Sequence, residues 1–366
     1  MEQEELFYLL ALSKSDGIGP VMAKKLVEYF GSATQVFEAR KDGFSDIPGV
    51  RPQLAKTIFD KFSLRKAEKE LKFIAANCLS YCHVLDANYP PRLKNCPDAP
   101  LVLFYKGSVN FNVPRILSIV GTRQMTGYGK SVLNNLMAQL KPFDPLIISG
   151  LAYGVDIHAH KLALKHGMST IGVVAHGLDR IYPPVHAEVA DQMLAMGGVL
   201  TDFWSGTNPD RENFVKRNRI VAGISQATVV IESAEKGGSL ITADLANGYH
   251  RDVFAVPGRI TDAFSIGCNQ LIKTNRAAVL TSAKDLAYIL NWEKNPVGQP
   301  IQRELFLELP TAEKKVYQYL LKEGKTQLDL ISLYCALPTY KVASILFNLE
   351  MQGLVRPLPG KFFEAI

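Results

Sequence analysis

Short apolar runs that stop at glycine alternate with amphipathic stretches through the middle of this chain, and no other feature constrains its fold as tightly. Ile116–Val120 ends at Gly121, and Leu146-Ile147-Ile148 ends at Ser149-Gly150. Thr170–Ala175, Gly198–Asp202, Thr228–Glu232 and Val253–Val256 have the same character, with helical sequence such as Thr126–Leu140 between them. Buried strands alternating with helices predict an α/β fold with a doubly wound, mostly parallel sheet. Ligands in such sheets bind outside the carboxyl ends of the strands, so the loops after each strand are where function is sought.

After the first strand comes Gly121-Thr122-Arg123-Gln124-Met125-Thr126-Gly127-Tyr128-Gly129-Lys130-Ser131. It lacks the G-x-G-x-x-G of a dinucleotide site, and the second strand ends without an acidic ribose ligand. It is not a phosphate-binding P-loop either, because the first required glycine falls at Gln124. What remains is a Gly-rich turn feeding a helix N-terminus beside Arg123. That pattern fits an anion held by backbone N–H groups and a guanidinium, and equally a tight turn with a solvated Arg. Ser149-Gly150-Leu151-Ala152-Tyr153-Gly154 and Lys236-Gly237-Gly238-Ser239 are further strand-to-helix turns of this kind, and several on one sheet edge suggest a row of phosphates. The densest cationic signal is Phe214-Val215-Lys216-Arg217-Asn218-Arg219. Cations engage phosphates and an aromatic stacks on an unpaired base, which is the equipment of single-strand binding. A solvated helix start with Phe214 in the core has the same spacing.

The flanks are different. Residues 1 to about 70 read as short helices around two glycine hairpins. Gly17-Ile18-Gly19-Pro20 leads to Lys24 and Lys25, and Ile47-Pro48-Gly49-Val50 leads to Leu54-Ala55-Lys56. Each has the look of a helix-hairpin-helix, a secondary candidate for phosphate contact; such hairpins also pack or bind partners. Beyond a linker at 293–306, Thr311 reads as an N-cap opening a helix. Gln327–Cys335 and a helix from Pro338 follow, and Val355–Phe363 resembles the wing of a winged helix. The presumed recognition helix, 338–352, carries only Lys341 against Glu350, poor equipment for reading a major groove.

Composition narrows the classes. With 366 residues, 47% hydrophobic and 21% charged, the chain reads as two or three globular domains. The net charge of +6 is compatible with nucleic acid without being diagnostic. The five cysteines are scattered and odd in number, and read as reduced thiols of a cytoplasmic protein. No apolar run approaches the ~20 residues that span a bilayer, and the N-terminus shows no signal-peptide pattern. His158 and His160 sit two apart on different helix faces, so no metal is expected. Ser149, His176 and Asp179 are the right types for a nucleophilic set, but nothing places them together, and no catalytic residue is assigned.

Ser118-Ile119-Val120-Gly121-Thr122-Arg123, Ser149-Gly150-Leu151-Ala152, Ala159-His160, Gly177-Leu178-Asp179 with Tyr182-Pro183, Arg217–Gly223, Gly238–Ala243 and Val253–Gly258 occur in an order that resembles the DprA/Smf family of DNA-processing proteins. Asp86, Tyr89 and Pro90 match the strand-like extension that members carry before the nucleotide-type fold. The resemblance implies an extended Rossmann-type domain over 72–292, between a helix-hairpin-helix (SAM-like) domain at 1–71 and a winged helix at 307–366. It implies single-stranded DNA in a basic pocket with no cofactor, homodimerisation, and loading of RecA recombinase onto incoming strands during natural transformation. Single-strand-binding protein is a further candidate partner. By motif, Arg123, Phe214, Lys216, Arg217, Asn218 and Arg219 would line the pocket, and Ser149, Gly150, Gly237, Gly238 and Ser239 would donate to phosphate. The sequence departs from the family pattern at Val215, Asp202, Gly237, Gly248 and His250. Two rival readings are a nucleotide-monophosphate glycosidase on a similar scaffold, whose glycine loop Lys236–Thr242 echoes imperfectly, and a winged-helix regulator of duplex DNA.

Overall fold

The computed structural model describes residues 2–39, 41–44, 47, 57–59, 61–292, 309–358 and 361–365. The chain forms two compact units, Met1–Pro296 and Val297–Ile366.

The first unit is built on a nine-stranded sheet: β1 (Ser80–His83), β2 (Val102–Gly107), β3 (Ile116–Val120), β4 (Leu146–Ser149), β5 (Thr170–Val173), β6 (Gly197–Thr201), β7 (Ala227–Val230), β8 (Asp252–Ala255) and β9 (Ala278–Val279). Their order is β1-β2-β6-β5-β4-β3-β7-β8-β9. From β6 to β9 every pairing is parallel. Helices cover both faces, which is why β3 to β7 are buried at every position and read as unbroken apolar runs rather than alternations. The doubly wound, Rossmann-like sheet is the one the alternation predicts, with strand ends shifted by a residue or two. The extension before it is an antiparallel pair: β1 on β2, and β2 on β6. Asp86 and Tyr89 are fixtures of that extension. The Asp86 carboxylate accepts from the His83 N–H at 2.8 Å, and the Tyr89 hydroxyl donates to the Pro100 carbonyl at 2.7 Å.

The N-terminal helices Glu2–Ser13, Pro20–Phe30, Ala33–Glu38 and Lys61–Ala76 share one apolar core with the strands, through residues such as Leu9, Leu26, Leu103 and Ile220. Two buried charges tie them down. Lys24 donates from Nζ to the carbonyls of Lys94 (2.6 Å) and Cys96 (2.9 Å). Glu70 accepts from the Ser205 N–H (2.9 Å) and hydroxyl (2.5 Å). Charges this deep are held only where such partners satisfy them. The second glycine hairpin, from Pro48 to Lys56, lies outside the described residues.

The second unit has its own core of Val316, Leu320, Ile331, Val342, Leu346, Leu349 and Val355. Helices Thr311–Glu323, Leu328–Cys335 and Thr339–Met351 precede a small sheet of β10 (Thr326–Gln327), β11 (Val355–Leu358) and β12 (Phe362–Ala365), ordered β10-β12-β11. This is the winged helix the sequence suggests. Thr311, expected as the N-cap, is the first helical residue; the cap is Pro310, whose fixed φ suits a helix entry. The linker expected at 293–306, and residues 359–360 of the expected wing, fall among the residues not described.

Candidate nucleic-acid interface

β3 leads on through β4, β5 and β6 in one direction, and β7 leads through β8 to β9 in the other. The loops leaving β3 and β7 therefore part, and a cleft opens between them, the switch point where doubly wound sheets bind ligands. It has a volume of about 830 Å³. Its walls are Gly121 to Gln124 after β3, Gly150, Ala152 and Asp156 after β4, one face of the helix Arg211–Ile224, and Ser233 to Thr242 after β7.

The helix Arg211–Ile224 is the crossover from β6 to β7, and its period decides which of its polar residues reach the cleft. Phe214, Arg217, Asn218 and Val221 recur at helical spacing and all line it. Lys216 is exposed on another face and does not. Arg219 points away altogether: it pairs with the Asp202 carboxylate and donates to the Asp98 carbonyl, and only 12% of its side chain is exposed. The expectation that Phe214, Lys216, Arg217, Asn218 and Arg219 all line one pocket is thus corrected for Lys216 and Arg219, because a helix turns successive side chains about 100° apart.

Arg217 forms the floor. It is buried, donates to the Val173 carbonyl, and leaves its Nε without a hydrogen-bond partner. Burial pushes its pKa down while Asp156 pulls it back up, and a guanidinium remains charged in either case. Asp156 feels the converse: burial raises its pKa, and Arg217 is the largest influence lowering it. The two meet over Gly150, where an added Cβ would overlap both the carboxylate and the guanidinium. Beneath them His160 bonds Thr170 Oγ1 (2.7 Å) and the Gly150 carbonyl (2.6 Å), and burial drops its pKa to about 4. His160 is a neutral strut, and no cluster of potential metal ligands occurs among the described residues.

At the mouth, the exposed Arg123 guanidinium lies 5.0 Å from the centre of the half-buried Phe214 ring, and Tyr182 meets that ring edge-on at 6.3 Å. For the neighbouring helix Gly127–Leu140 the sequence fits an anion at its N-terminus and a plain tight turn equally. The anion there is the protein's own Glu232, which accepts from the Thr126 N–H at 2.9 Å and the Thr126 hydroxyl at 2.5 Å. An added Cβ at Gly129 would overlap that carboxylate, so this glycine makes room for an internal cap. Gly154, at φ +79°, lets the loop after β4 pass directly against the backbone of Thr122 and Arg123.

The opposite wall keeps an open helix N-terminus. Gly237 caps the helix Gly238–Gly248 with no side chain, and a Cβ at Gly238 would meet nothing within 4 Å. Asn218 Nδ2 donates to the Gly238 carbonyl at 3.3 Å, fastening this turn to the crossover helix. The Ser239 hydroxyl donates to Ser233 Oγ at 2.9 Å. Ser149 is corrected: its buried hydroxyl donates to the Ile119 carbonyl at 2.5 Å and is committed to the sheet. Lys24 is corrected too, since its ammonium is spent on the carbonyls of Lys94 and Cys96. In that hairpin Gly17 has φ +76°, Gly19 caps the helix Pro20–Phe30, and Lys25 is half-buried. None of Gly17, Gly19, Lys24 or Lys25 lines the cleft. The cleft recruits Gln124, Asp156, Arg211 and Lys236 as well. Arg211 was legible as Phe214 minus three, one turn along the same face.

Comparison with known proteins converges on this architecture. The sequence profile described as DNA recombination-mediator protein A matches residues 80–291, and that of the DprA winged helix domain matches 307–361. Protein Smf of Synechocystis sp. is 30% identical over the full length of both chains. The crystal structure of DNA processing protein A from Streptococcus pneumoniae superposes with a TM-score of 0.66 at 32% identity, covering 80% of this chain and 99% of that one. A solved structure of DNA processing protein A from Helicobacter pylori, described for its single-stranded DNA binding mode, gives a TM-score of 0.53 at 28% identity over 59% of this chain and 97% of its own. With its profile, its full-length relative and its fold in agreement, the chain belongs to the DprA family of DNA recombination mediators.

Proposed function

We propose that the cleft between β3 and β7 holds single-stranded DNA, with no cofactor and no chemical step. The observation that carries this reading is the stack of Arg123 on Phe214 directly above the buried Arg217. It sets an aromatic ring at the mouth of the cleft beside two guanidinium groups, the combination that engages an unpaired base and the phosphates next to it. Duplex DNA presents no free base face to such a ring, so the arrangement selects single strands. Gly150, Gly237, Gly238 and Asn218 supply the close backbone and amide lining. The Helicobacter pylori relative, described as binding single-stranded DNA, supports the same reading.

In this reading the protein works in the cytoplasm as a homodimer that covers incoming strands during natural transformation and delivers them to RecA, with single-strand-binding protein as a further partner. Family membership supports the recombination role. The exposed Ile260 and Ile266, beyond the β8 end of the sheet, are apolar surface of the kind that self-association covers. No single helix among the described residues is long and apolar enough to cross a membrane. The winged helix is assigned to protein contact, since Leu333, Tyr340 and Phe347 are exposed on it.

The test is binding of an unstructured single strand and its duplex across a salt series, by wild type and an Arg123→Ala/Arg217→Ala variant. Preference for the single strand, lost in the variant with a flatter salt dependence, supports the cleft. Equal affinity for both forms, or an unchanged variant, rejects it.

A further inference from the structure

The crossover helix has a second cationic face that the cleft does not use. Lys216 is exposed beside the N-terminal helices, and three contacts fix what surrounds it. Arg219, one turn along from Lys216, pairs with Asp202, two residues from Trp204. Lys14, in the turn before the first glycine hairpin, places its Nζ 5.1 Å from the centre of the Trp204 ring. Glu70 binds Ser205, the residue after Trp204, and so fixes the helix Lys61–Ala76 at the same place. One turn back from Glu70 is Lys66, whose Nζ lies 3.9 Å over the ring of Phe62; that ring is 57% exposed. Lys14 has its pKa lowered, first by burial, with Lys66 and Lys216 lowering it further and Asp202 and Glu70 opposing the shift. Both opposing carboxylates are already committed, Asp202 to Arg219 and Glu70 to Ser205.

The result is three ammonium groups gathered on one surface beside an exposed aromatic ring, on the flank of the helix whose other face lines the cleft. Along the helix Lys61–Ala76 the exposed side chains are cationic at Lys61, Arg65, Lys66, Lys69 and Lys72. Its one exposed carboxylate, Glu68, is taken by Lys72 at 2.8 Å. Like charges gathered on one surface repel, and a polyanion laid along them relieves that repulsion; Phe62, with Lys66 over its ring, still leaves more than half of its surface open to a ligand.

We propose that Lys14, Lys66 and Lys216, with Phe62, form a second tract for the same DNA strand, receiving its phosphates after it leaves the cleft over the crossover helix. This rests on the single-strand reading of the cleft. The glycine hairpin then contributes Lys14 rather than Lys24, and the N-terminal helices extend the binding site instead of only bracing the sheet.

Oligothymidylates of two lengths separate the tract from the cleft. One of about 6 nucleotides fills a single short site, and one of about 20 reaches further. Wild type and a Lys14→Ala/Lys66→Ala/Lys216→Ala variant are titrated with each across a salt series. Three phosphate contacts correspond to a slope change of about 2 on the log–log plot. That loss is expected with the long strand, and an unchanged slope with the short one. A long-strand slope equal to that of wild type overturns the tract while leaving the cleft intact. Equal losses at both lengths also overturn it, since the lysines would then act on the cleft. If wild type binds neither length, the cleft reading fails first and takes the tract with it. Lys66→Ala/Lys216→Ala, which leaves the Trp204 contact untouched, guards against misfolding: it is expected to lose about two-thirds of the slope change, with the thermal transition of wild type.

Discussion

Glu232, two residues past the seventh strand, caps the helix that follows the third, gripping Thr126 by both its N–H and its hydroxyl at 2.9 and 2.5 Å. The two halves of the doubly wound sheet are thereby joined at the switch point by an internal carboxylate, and Gly129 is the residue that leaves room for it. Gly129→Ala is expected to destabilise the protein by about 1–3 kcal/mol, the usual cost of overpacking. Gly238→Ala, which meets open space, is expected to stay within about 0.5 kcal/mol. Urea denaturation of the two variants checks the contrast; equal midpoints would deny Glu232 its capping role.

Arg123 and Phe214 are predicted to act on DNA as a pair. Arg123→Ala should lower the log–log salt slope for single strands by about 0.7, one phosphate's worth. Phe214→Ala should cost about 1–3 kcal/mol of affinity with the slope unchanged. Because the guanidinium rests on the ring, the double variant should lose less than the sum of the two. Strict additivity in that cycle would show that the contact does not survive in solution.

Lys24 and Arg219 look like DNA contacts in sequence and are internal in structure. Lys24→Ala leaves two carbonyls without their donor, and Arg219→Ala leaves the largely enclosed Asp202 without its cation. Each is expected to destabilise folding by about 1–3 kcal/mol and to leave single-strand affinity and its salt slope as in wild type. Affinity measured below the unfolding transition decides the matter; a flatter slope in either variant would return that residue to the binding surface.

His160 gives a pH dependence of known sign. Its pKa falls from 6.5 to about 4 on folding, so between those values the unfolded chain binds the extra proton. The stability this represents is complete above pH 6.5 and is lost as pH falls toward 4, on the order of 3 kcal/mol in all. Asp156, its pKa raised by burial, acts in the opposite direction at the acid end, so the comparison must be between variants rather than absolute. His160→Gln should show a shallower loss of stability than wild type from pH 6.5 to 4, read from urea midpoints. A parallel decline in both would place the acid sensitivity elsewhere.

The strands were legible because burial on both faces leaves no choice but unbroken apolar runs, and β3 is bounded in sequence as in structure. The cleft was legible as a set of loops, since glycines mark where backbone must pass close to backbone. What could not be read was which loop had already found its counter-charge. Glu232 is 106 residues from Thr126, and no local pattern announces the pairing. Arg219 and Lys24 escaped for the same reason, their partners lying across the fold. Lys216 lies off the cleft because it faces another side of the helix, which counting along the chain does not reveal. In the flanking antiparallel pair, β1 is short and polar at Ser80 and His83, so no apolar run marks it, and β2 carries the run Val102-Leu103-Phe104 but ends half-exposed at Tyr105 and Lys106.

The strand order has a consequence for how a ligand is felt by the whole unit. The cleft has no wall of its own: one side belongs to the strands that run from β3 to β6, the other to those from β7 to β9, and the helix Arg211–Ile224 is the hinge-pin between them. A polymer seated there is a splint across two half-sheets. It draws its grip from both at once, so occupancy and the intact doubly wound core become a single thermodynamic event, and the bound strand raises the energy of separating the halves by as much as they jointly hold it.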